Sequence, residues 1–504
     1  MNQPSAPHDS WNTRDLFCHD LPSKPLSDMG TVLVTGASGY VGGRLVPELL
    51  ARGYQVRAMV RGNLPQYQER WPQAQIAVAD ALKIGGLRKA LVGIDIAYYL
   101  MHSLLKGPKE FELADLQAAI NFRITAEENQ IKRIVYLGGL GDRKSSLSRH
   151  LQSRMAVAEQ LKRGDVPVTI LRAAIIIGSG SASYEIMYHL VRNLSLIPLQ
   201  SWGHHRCQPI AIRDVIKYLV GVMEVPETAG EEFDIGGSGE ATYQGMLKCF
   251  AEHLNKKTFF IPAPFSNIAL FSYLASLLTP VPASIIRCLM EGVQDEVVCR
   301  NDRIREFLPF EPLTYEEAIA RAMSREEQDR VDTRWSDAYP RDHESAVKLH
   351  ELGERPQYTA HSSLLTSKDA SRLFIAICKI GGKEGWFHSN WMWQLRGAAD
   401  RMLLGVGTAR ARRSYSKLGV GDVIDFWRIE DLETNHRLLL RAEMKIPGSA
   451  WLEFKIERAG EEHRLSVTAY YHTSSLWGKI YWYSFLPFHY FIFQRLIELI
   501  EDKS

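Results

Sequence analysis

Cysteine is scarce in this chain. Its 504 residues hold six cysteines, Cys18, Cys207, Cys249, Cys288, Cys299 and Cys378, with no pair spaced as C-x-x-C. That excludes a disulfide framework and a zinc ribbon, leaves no metal expected, and suits a reducing cytoplasm. Long apolar runs are missing too: no stretch reaches the roughly 18–20 apolar residues a spanning helix needs. Asn267–Pro282 is apolar but short and ends in Thr-Pro-Val-Pro, and Leu476–Ile500 is aromatic but carries Lys479, Pro487, His489 and Arg495. Both read as core or interface helices rather than integral membrane segments, with peripheral membrane contact left open. Charge of one sign is lacking as well. Sixty Lys and Arg face 58 Asp and Glu, a net +2, which gives no field to gather nucleic acid. The first thirty residues lack the apolar core of a secretory signal; polar and Pro-rich, residues 1–30 read as a disordered tail.

A strand-like run beginning at Thr31 ends at Thr35, and Gly36, Gly39 and Gly42 follow at fixed spacing before a helical pattern at Leu45, Val46, Leu49 and Leu50. Strand, glycine turn and helix in that order form a dinucleotide-phosphate cradle: the glycines allow a tight turn and a close approach, and the helix N-terminus offers unpaired N–H groups. Ser38, Tyr40 and Val41 belong to the same turn. The second strand, Gln55–Val60, ends at Arg61, with Arg57 earlier on it. An NAD-preferring fold places a carboxylate there for the ribose 2′-hydroxyl, whereas a guanidinium suits a 2′-phosphate. NADP is therefore favoured over NAD; the alternative for Arg61 is a solvated surface arginine.

Further strands follow at Gln75–Ala79, ending in Asp80 and Ala81, at Ile94–Met101 with Leu100 and His102 at its end, at Arg133–Leu137 with Gly138 after it, and at Val168–Leu171 running on through Ala173. Strands alternating with helices specify an α/β, Rossmann-like, doubly wound parallel sheet, whose ligands lie beyond the carboxyl ends of its strands. His102 is placed there, as a pocket-wall residue or a catalyst. His204 and His205 are adjacent, so they point apart and make a poor metal pair.

The segments Thr35-Gly-Ala-Ser-Gly-Tyr-Val-Gly42, the strand end at Asp80 and Leu171-Arg-Ala-Ala-Ile-Ile-Ile-Gly178 resemble the short-chain dehydrogenase/reductase superfamily over about residues 31–325. The likeness is to its atypical extended branch, which includes NmrA-like proteins and the 39-kDa-type subunit of respiratory complex I. It implies a cofactor site at Gly36, Ser38, Gly39, Tyr40, Val41, Gly42, Arg61, Asp80, Ala81, Leu100, His102, Gly138, Arg154 and Ala173. It also implies a catalytic Tyr-x-x-x-Lys pair and a Ser. Here His150 and Arg154 fall at the Tyr and Lys positions, and Gly138 or Gly139 at the Ser position. His150 can exchange a proton near neutrality and Arg154 can hold a ribose hydroxyl; alternatively both are structural. Tyr184, Tyr188 and His189 are candidates to line a substrate pocket.

From Met323 to Gln357 charge crowds in and the apolar period weakens, so residues 326–360 read as a linker and 361–504 as a second domain. A helix starts there with its cap at Ser367 or Thr366. Period-two strands follow at Arg437–Ile446, Trp451–Glu457 and Arg464–Tyr471, with Arg437, Arg441 and Glu443 on the polar face, and a final helix runs Pro487–Ile500. This is an α+β, helix-grip (START/SRPBCC-like) order, a shape that wraps an apolar cavity. The segments Ile380–Trp386, Gly421–Trp427 and Trp477–Tyr483 through His489 resemble DUF2867, so the whole resembles the YbjT-like two-domain proteins. The expectation is an NAD(P)H-binding reductase-like protein acting on a hydrophobic carbonyl, enone or quinone-like small molecule. The alternative is a non-catalytic dinucleotide-binding sensor or assembly factor. Oligomeric state is open.

Overall fold

The computed structural model describes residues 16–27, 29–62, 64–102, 110–141, 148–263, 267–327, 331, 333–338, 348–381, 385–386, 390–407, 410 and 418–504. The chain divides into two compact units, residues 1–272 with 284–335, and residues 273–283 with 336–504.

In the first unit, β1 (Thr31–Val34), β2 (Val56–Val60), β3 (Gln75–Val78), β4 (Ile94–Tyr99), β5 (Arg133–Gly139), β6 (Val168–Ala173) and the strand Glu232–Ile235 form one sheet. All neighbours are parallel, in the spatial order Glu232–Ile235, β6, β5, β4, β1, β2, β3. The strand order reverses between β1 and β4, which opens a crevice at their carboxyl ends. Helices cover both faces: α1 (Gly42–Ala51), α2 (Leu64–Arg70), α3 (Ile84–Leu91), α4 (Glu110–Glu128), α5 (Arg149–Lys162), α6 (Ala182–Asn193) and α7 (Ile212–Glu224). Successive strand residues point to opposite faces and so enter different cores. Val32, Val34, Tyr98 and Val135 pack with Leu45 and Leu49 of α1 and Ile216 and Leu219 of α7. Leu33, Tyr99, Ile134 and Tyr136 pack with Leu87 of α3, Phe122 of α4 and Leu161 of α5. The unit goes on through α8 (Tyr243–His253), the first five residues of α9 (Ile268–Leu278), whose remainder belongs to the second unit, and most of α10 (Ala283–Gly292).

Two expectations need correction. The stretch 1–30 is not disordered throughout: Phe17, Cys18 and Leu21 are buried. The backbone N–H groups of Phe17 and Cys18 donate to Glu48 of α1 (2.5 and 3.1 Å), and Ser23 donates to Glu224 of α7 (2.5 Å). A few large side chains in a polar stretch thus anchor it; residues 1–15 lie outside those described. Nor is 326–360 a linker throughout. Thr333 and Arg334 are buried in the first unit, Arg334 pairing with Glu185 and Glu326 (2.7 and 2.6 Å). A strand of the second unit already begins at Tyr358. Residues 339–347 lie outside those described.

The second unit holds a six-stranded antiparallel sheet in the order Tyr358–Thr366, Glu462–His472, Ser449–Ala459, Arg437–Ala442, Trp427–Glu433, Val423–Ile424. The helix Ala370–Cys378 is capped by Asp369, which accepts from Ser371 N–H, rather than by Ser367 or Thr366. The closing helix spans Leu476–Asp502, starting well before Pro487, with Ser475 accepting from Gly478 N–H at its cap. Leu438, Leu440, Leu452, Phe454 and Ile456 face a core shared with Phe493, Leu496, Ile497 and Ile500. The residues read as a polar face are in part buried: Glu443 lies between Arg410 and Arg428 (2.6 and 2.5 Å), with Arg441 at 3.6 Å. That cluster holds the Glu443 carboxyl below its usual range against the pull of burial. No helix among the described residues is long and apolar enough to cross a membrane.

Candidate functional site

The crevice between β1 and β4 is fixed by Thr35, fully buried, whose N–H and hydroxyl both donate to Tyr98 O (3.0 and 2.8 Å). Its hydroxyl in turn accepts from Leu100 N–H (3.1 Å). The glycine turn sits directly above. Gly36 has φ +64°, and a Cβ there would lie 2.6 Å from Leu100 O. A Cβ on Gly42 would lie 2.4 Å from Gly36 O, so helix and turn touch backbone to backbone. At Gly39 a Cβ would meet one atom only, Gly36 O at 3.2 Å, so the turn keeps an open side. That is the geometry of a phosphate cradle at the N-terminus of α1, and it fits a dinucleotide pyrophosphate. Ser38 and Val41 are half-buried in the same turn. The Tyr40 side chain is spent on the fold: its hydroxyl donates to Ser179 O (3.2 Å) and its ring lies under the Arg44 guanidinium at 4.2 Å.

The other expected cofactor positions stand around this turn. Arg61 is exposed immediately after β2. Arg57, by contrast, is tied to Gln75 (2.9 Å) and the carbonyls of Ala90 and Val92 (2.9 and 2.7 Å), and so is spent away from the strand ends. Asp80 closes a local turn, its carboxylate accepting from Leu82 N–H (3.0 Å), and Ala81 O accepts from buried Asn121 (3.0 Å). Gly138 and Ala173 lie at the ends of β5 and β6, where Ala173 O accepts from Leu140 N–H (2.8 Å). A Cβ on Gly139 would stand 2.7 Å from Leu151 Cδ2, so a serine fits there only if Leu151 gives way.

His150 and Arg154 are brought to the same crevice. Arg154 is buried and donates to Leu137 O and to Met101 O (3.4 Å), with its guanidinium 4.8 Å over the Tyr136 ring. Its first role is therefore to close the ends of β4 and β5. His150 Nδ1 lies 3.2 Å from His102 Nε2, and His102 Nδ1 lies 2.8 Å from Asp115 Oδ2. Asp115 is the residue the sequence reading missed. It shares a helix face with the buried Ala119, Phe122 and Ala126, a spacing that marks it as an inward carboxylate on α4.

Donor counting fixes what this chain of groups can do. An ionised carboxylate only accepts, so His102 donates from Nδ1 to Asp115. With neutral His102, Nε2 accepts from His150 Nδ1–H, and His150 Nε2 has no proton. With cationic His102, the inter-ring bond reverses and His150 Nε2 carries one. Burial, then the His102 and Arg154 charges, hold the His150 imidazole well below its ordinary value. The arrangement thus allows His150 to pass a proton through, in at one nitrogen and out at the other, without becoming a stable cation.

An apolar pocket of about 600 Å³, open mouth included, lies in the same unit. It is lined by Ile186, Met187 and Leu190 of α6, Trp202, Tyr243 of α8 and Ile286 of α10, with no charged side chain among the described residues of its walls. Tyr184, Tyr188 and His189 are on other faces of α6: Tyr184 stacks on Tyr188, and His189 sits 3.4 Å from Glu185. Cys288 of α10 has its thiol pushed up to about 12, chiefly by burial.

The family described as NAD(P)H-binding matches residues 36–193, and the family described as a protein of unknown function (DUF2867) matches residues 354–496. A mitochondrial protein of Arabidopsis thaliana, NADH dehydrogenase [ubiquinone] 1 alpha subcomplex subunit 9, is 22% identical over 240 residues, covering 46% of this chain and 60% of that protein. Dihydroflavonol 4-reductase of Zea mays is 35% identical over 131 residues, covering 23% of this chain and 36% of that protein. The chain thus spans less than two thirds of the length of either. A nucleoside-diphosphate-sugar epimerase of Staphylococcus aureus superposes with TM-score 0.49 and 14% identity over 57% of this chain and 99% of that one. The chain is thus a Rossmann-like unit that matches the NAD(P)H-binding family over residues 36–193, followed by a domain that matches DUF2867 over residues 354–496.

Proposed function

We propose that this protein is an NAD(P)H-dependent reductase of a neutral, hydrophobic carbonyl, enone or quinone-like compound. The observation that carries it is the Asp115–His102–His150 relay at the carboxyl ends of the strands beside the glycine cradle. The dinucleotide, when bound, supplies a hydride. The chain supplies the rest. Gly36, Gly39 and Gly42 seat the pyrophosphate, and Arg154 keeps the ends of β4 and β5 in place. His150 Nε2 gives its proton to the substrate oxygen as cationic His102 returns one to Nδ1, leaving neutral His102 on Asp115. The uncharged pocket of α6, α8 and α10 selects an apolar molecule.

Titration of the purified chain with NADPH and NADH, followed by nicotinamide oxidation against quinones and enones, tests this. Binding with turnover supports it; binding without turnover on any of them supports the second reading below; no binding of either cofactor overturns both. NADP is the favoured form, because Arg61 stands where a 2′-phosphate is held. Arg61→Ala should weaken NADPH at least about tenfold more than NADH, one charge-assisted phosphate contact being worth roughly 1.5–3 kcal/mol; equal effects remove Arg61 from the site.

The second reading is a non-catalytic, dinucleotide-binding assembly factor at a membrane surface. It is favoured by the closing helix, which leaves Trp477 (74% exposed), Tyr483, Tyr490 and Phe491 (80% exposed) in solvent. Between Leu476 and Leu496 that helix has no acidic residue and carries Lys479 and Arg495, the composition of an interfacial helix against anionic lipid. The Arabidopsis relative is itself named as a subunit of NADH dehydrogenase.

A further inference from the structure

The second unit contains a cavity of about 780 Å³, mouth included, between its sheet and its closing helix. Its walls are aromatic rather than aliphatic, with Trp393, Trp427, Trp482 and Phe485 among them. Aromatic rings favour a ring-bearing occupant over an acyl chain.

The polar atoms of these walls are what make it more than a packing gap. The indole Nε1 atoms of Trp393 and Trp427 and Nδ1 of His489 are all buried with no hydrogen-bond partner. Trp427 as a residue is 4% exposed. Other indoles of the unit are satisfied: Trp386 Nε1 donates to Asp425 (2.7 Å) and Trp451 Nε1 to Glu430 (3.0 Å). A buried donor left unpaired is destabilised, and both residues line the cavity, so an acceptor-bearing ligand that reaches them removes that cost. An indole N–H can only donate, so the ligand must bring acceptors. Charge is matched as well. The one ionised side chain among the described wall residues, Arg396, is engaged with Tyr481 Oη (3.4 Å) and Lys445 O (3.2 Å), with Asp400 at 4.0 Å. Burial drives His489 down to about 4, so it is neutral at physiological pH. Among the described wall residues no second cation stands beside Arg396 to hold a carboxylate or phosphate, which favours a neutral ligand.

We infer that the DUF2867 unit binds a neutral, planar, conjugated cyclic dione of the quinone class in this cavity, with its oxygens accepting from the indole N–H groups of Trp393 and Trp427. This holds whether or not the first unit transfers hydride, because binding here needs no nucleotide.

The test uses the full chain without nucleotide and two probes of one shape. Duroquinone has two carbonyl oxygens and a fully substituted ring that resists thiol addition; durene has the same four methyl groups and no oxygen. Each displaces the neutral fluorophore N-phenyl-1-naphthylamine. Trp427→Phe and Trp393→Phe, which remove the donors and keep a ring, should each weaken duroquinone about 5–10-fold, the worth of one buried hydrogen bond, and leave durene within about twofold. Ala469→Trp, which fills the cavity from the sheet side, should abolish the part of duroquinone binding that the Trp→Phe variants weaken. Equal losses for the two probes in the Trp→Phe variants, or no displacement by duroquinone from the unaltered chain, would overturn the inference. If Ala469→Trp does not fold, the two Trp→Phe variants decide alone. Failure here leaves nicotinamide oxidation untouched, so it is separable from failure of the reductase reading.

Discussion

The carboxylate of Asp115 decides which way the protons of the relay point. As a pure acceptor it forces the proton of His102 onto Nδ1, and it stabilises the cationic ring that hands a proton to His150. Asp115→Asn offers an amide that can donate instead, so both ring tautomers are freed. Turnover should fall about 10²- to 10³-fold, within the usual contribution of a general acid, while NADPH affinity stays within about twofold. Unchanged turnover would take Asp115 out of the relay. In the second unit, burial lowers His489 from 6.5 to about 4. Between those values the unfolded chain binds more protons than the folded one, so stability rises with pH across that window and is lost as pH falls from about 6.5 to 4. The amount is up to about 3 kcal/mol at 1.36 kcal/mol per pKa unit. Denaturant unfolding at pH 7 and at pH 4.5 should show this slope, and His489→Phe should flatten it; an unaltered slope in that variant would assign the pH dependence elsewhere.

At the scale of elements, β1 to β6 and their helices were legible because a parallel sheet covered on both faces leaves near-continuous apolar strands separated by helical periods. The edge strand Tyr358–Thr366 was not. Its exposure alternates at every position, but the inner face is mostly half-buried and includes Ser362 and Thr366, so no apolar period shows, and the sequence reading left its first residues in a linker. Trp427–Glu433 hides its period behind an irregularity between Ile429 and Asp431, which shifts the register against its partner. The closing helix was read as starting at Pro487, but proline there costs one backbone bond and the helix runs through it from Leu476. Its full length is what creates an exposed aromatic face. Vesicles containing phosphatidylglycerol should sediment with the full chain, and Trp477→Ala with Phe491→Ala should reduce the bound fraction several-fold, more at high salt. Equal recovery with and without vesicles would remove the lipid-surface role.

For the whole molecule, the two-unit organisation was legible in the charged stretch after Met323, although the observed division falls at Trp335 and Ser336 and assigns residues 273–283 to the second unit. The cradle was legible because its glycines recur every third residue within one short stretch, with a strand before them and a helix after. The relay was only half legible. His102 and His150 were each singled out, but they are 48 residues apart, come from the end of β4 and the start of α5, and are joined through an aspartate on a third element. No local spacing encodes that meeting; the sheet order does. The cavity donors were hidden for a related reason, since a tryptophan in an aromatic stretch reads as core until its N–H is found without a partner. The most direct measurement is NADPH binding and NADPH oxidation with quinone and enone acceptors, run side by side on the full chain and on His150→Phe. The expected result is equal NADPH affinity in both and turnover at least about 10²-fold lower in the variant; undetectable NADPH and NADH binding, or turnover the same in His150→Phe, would contradict it.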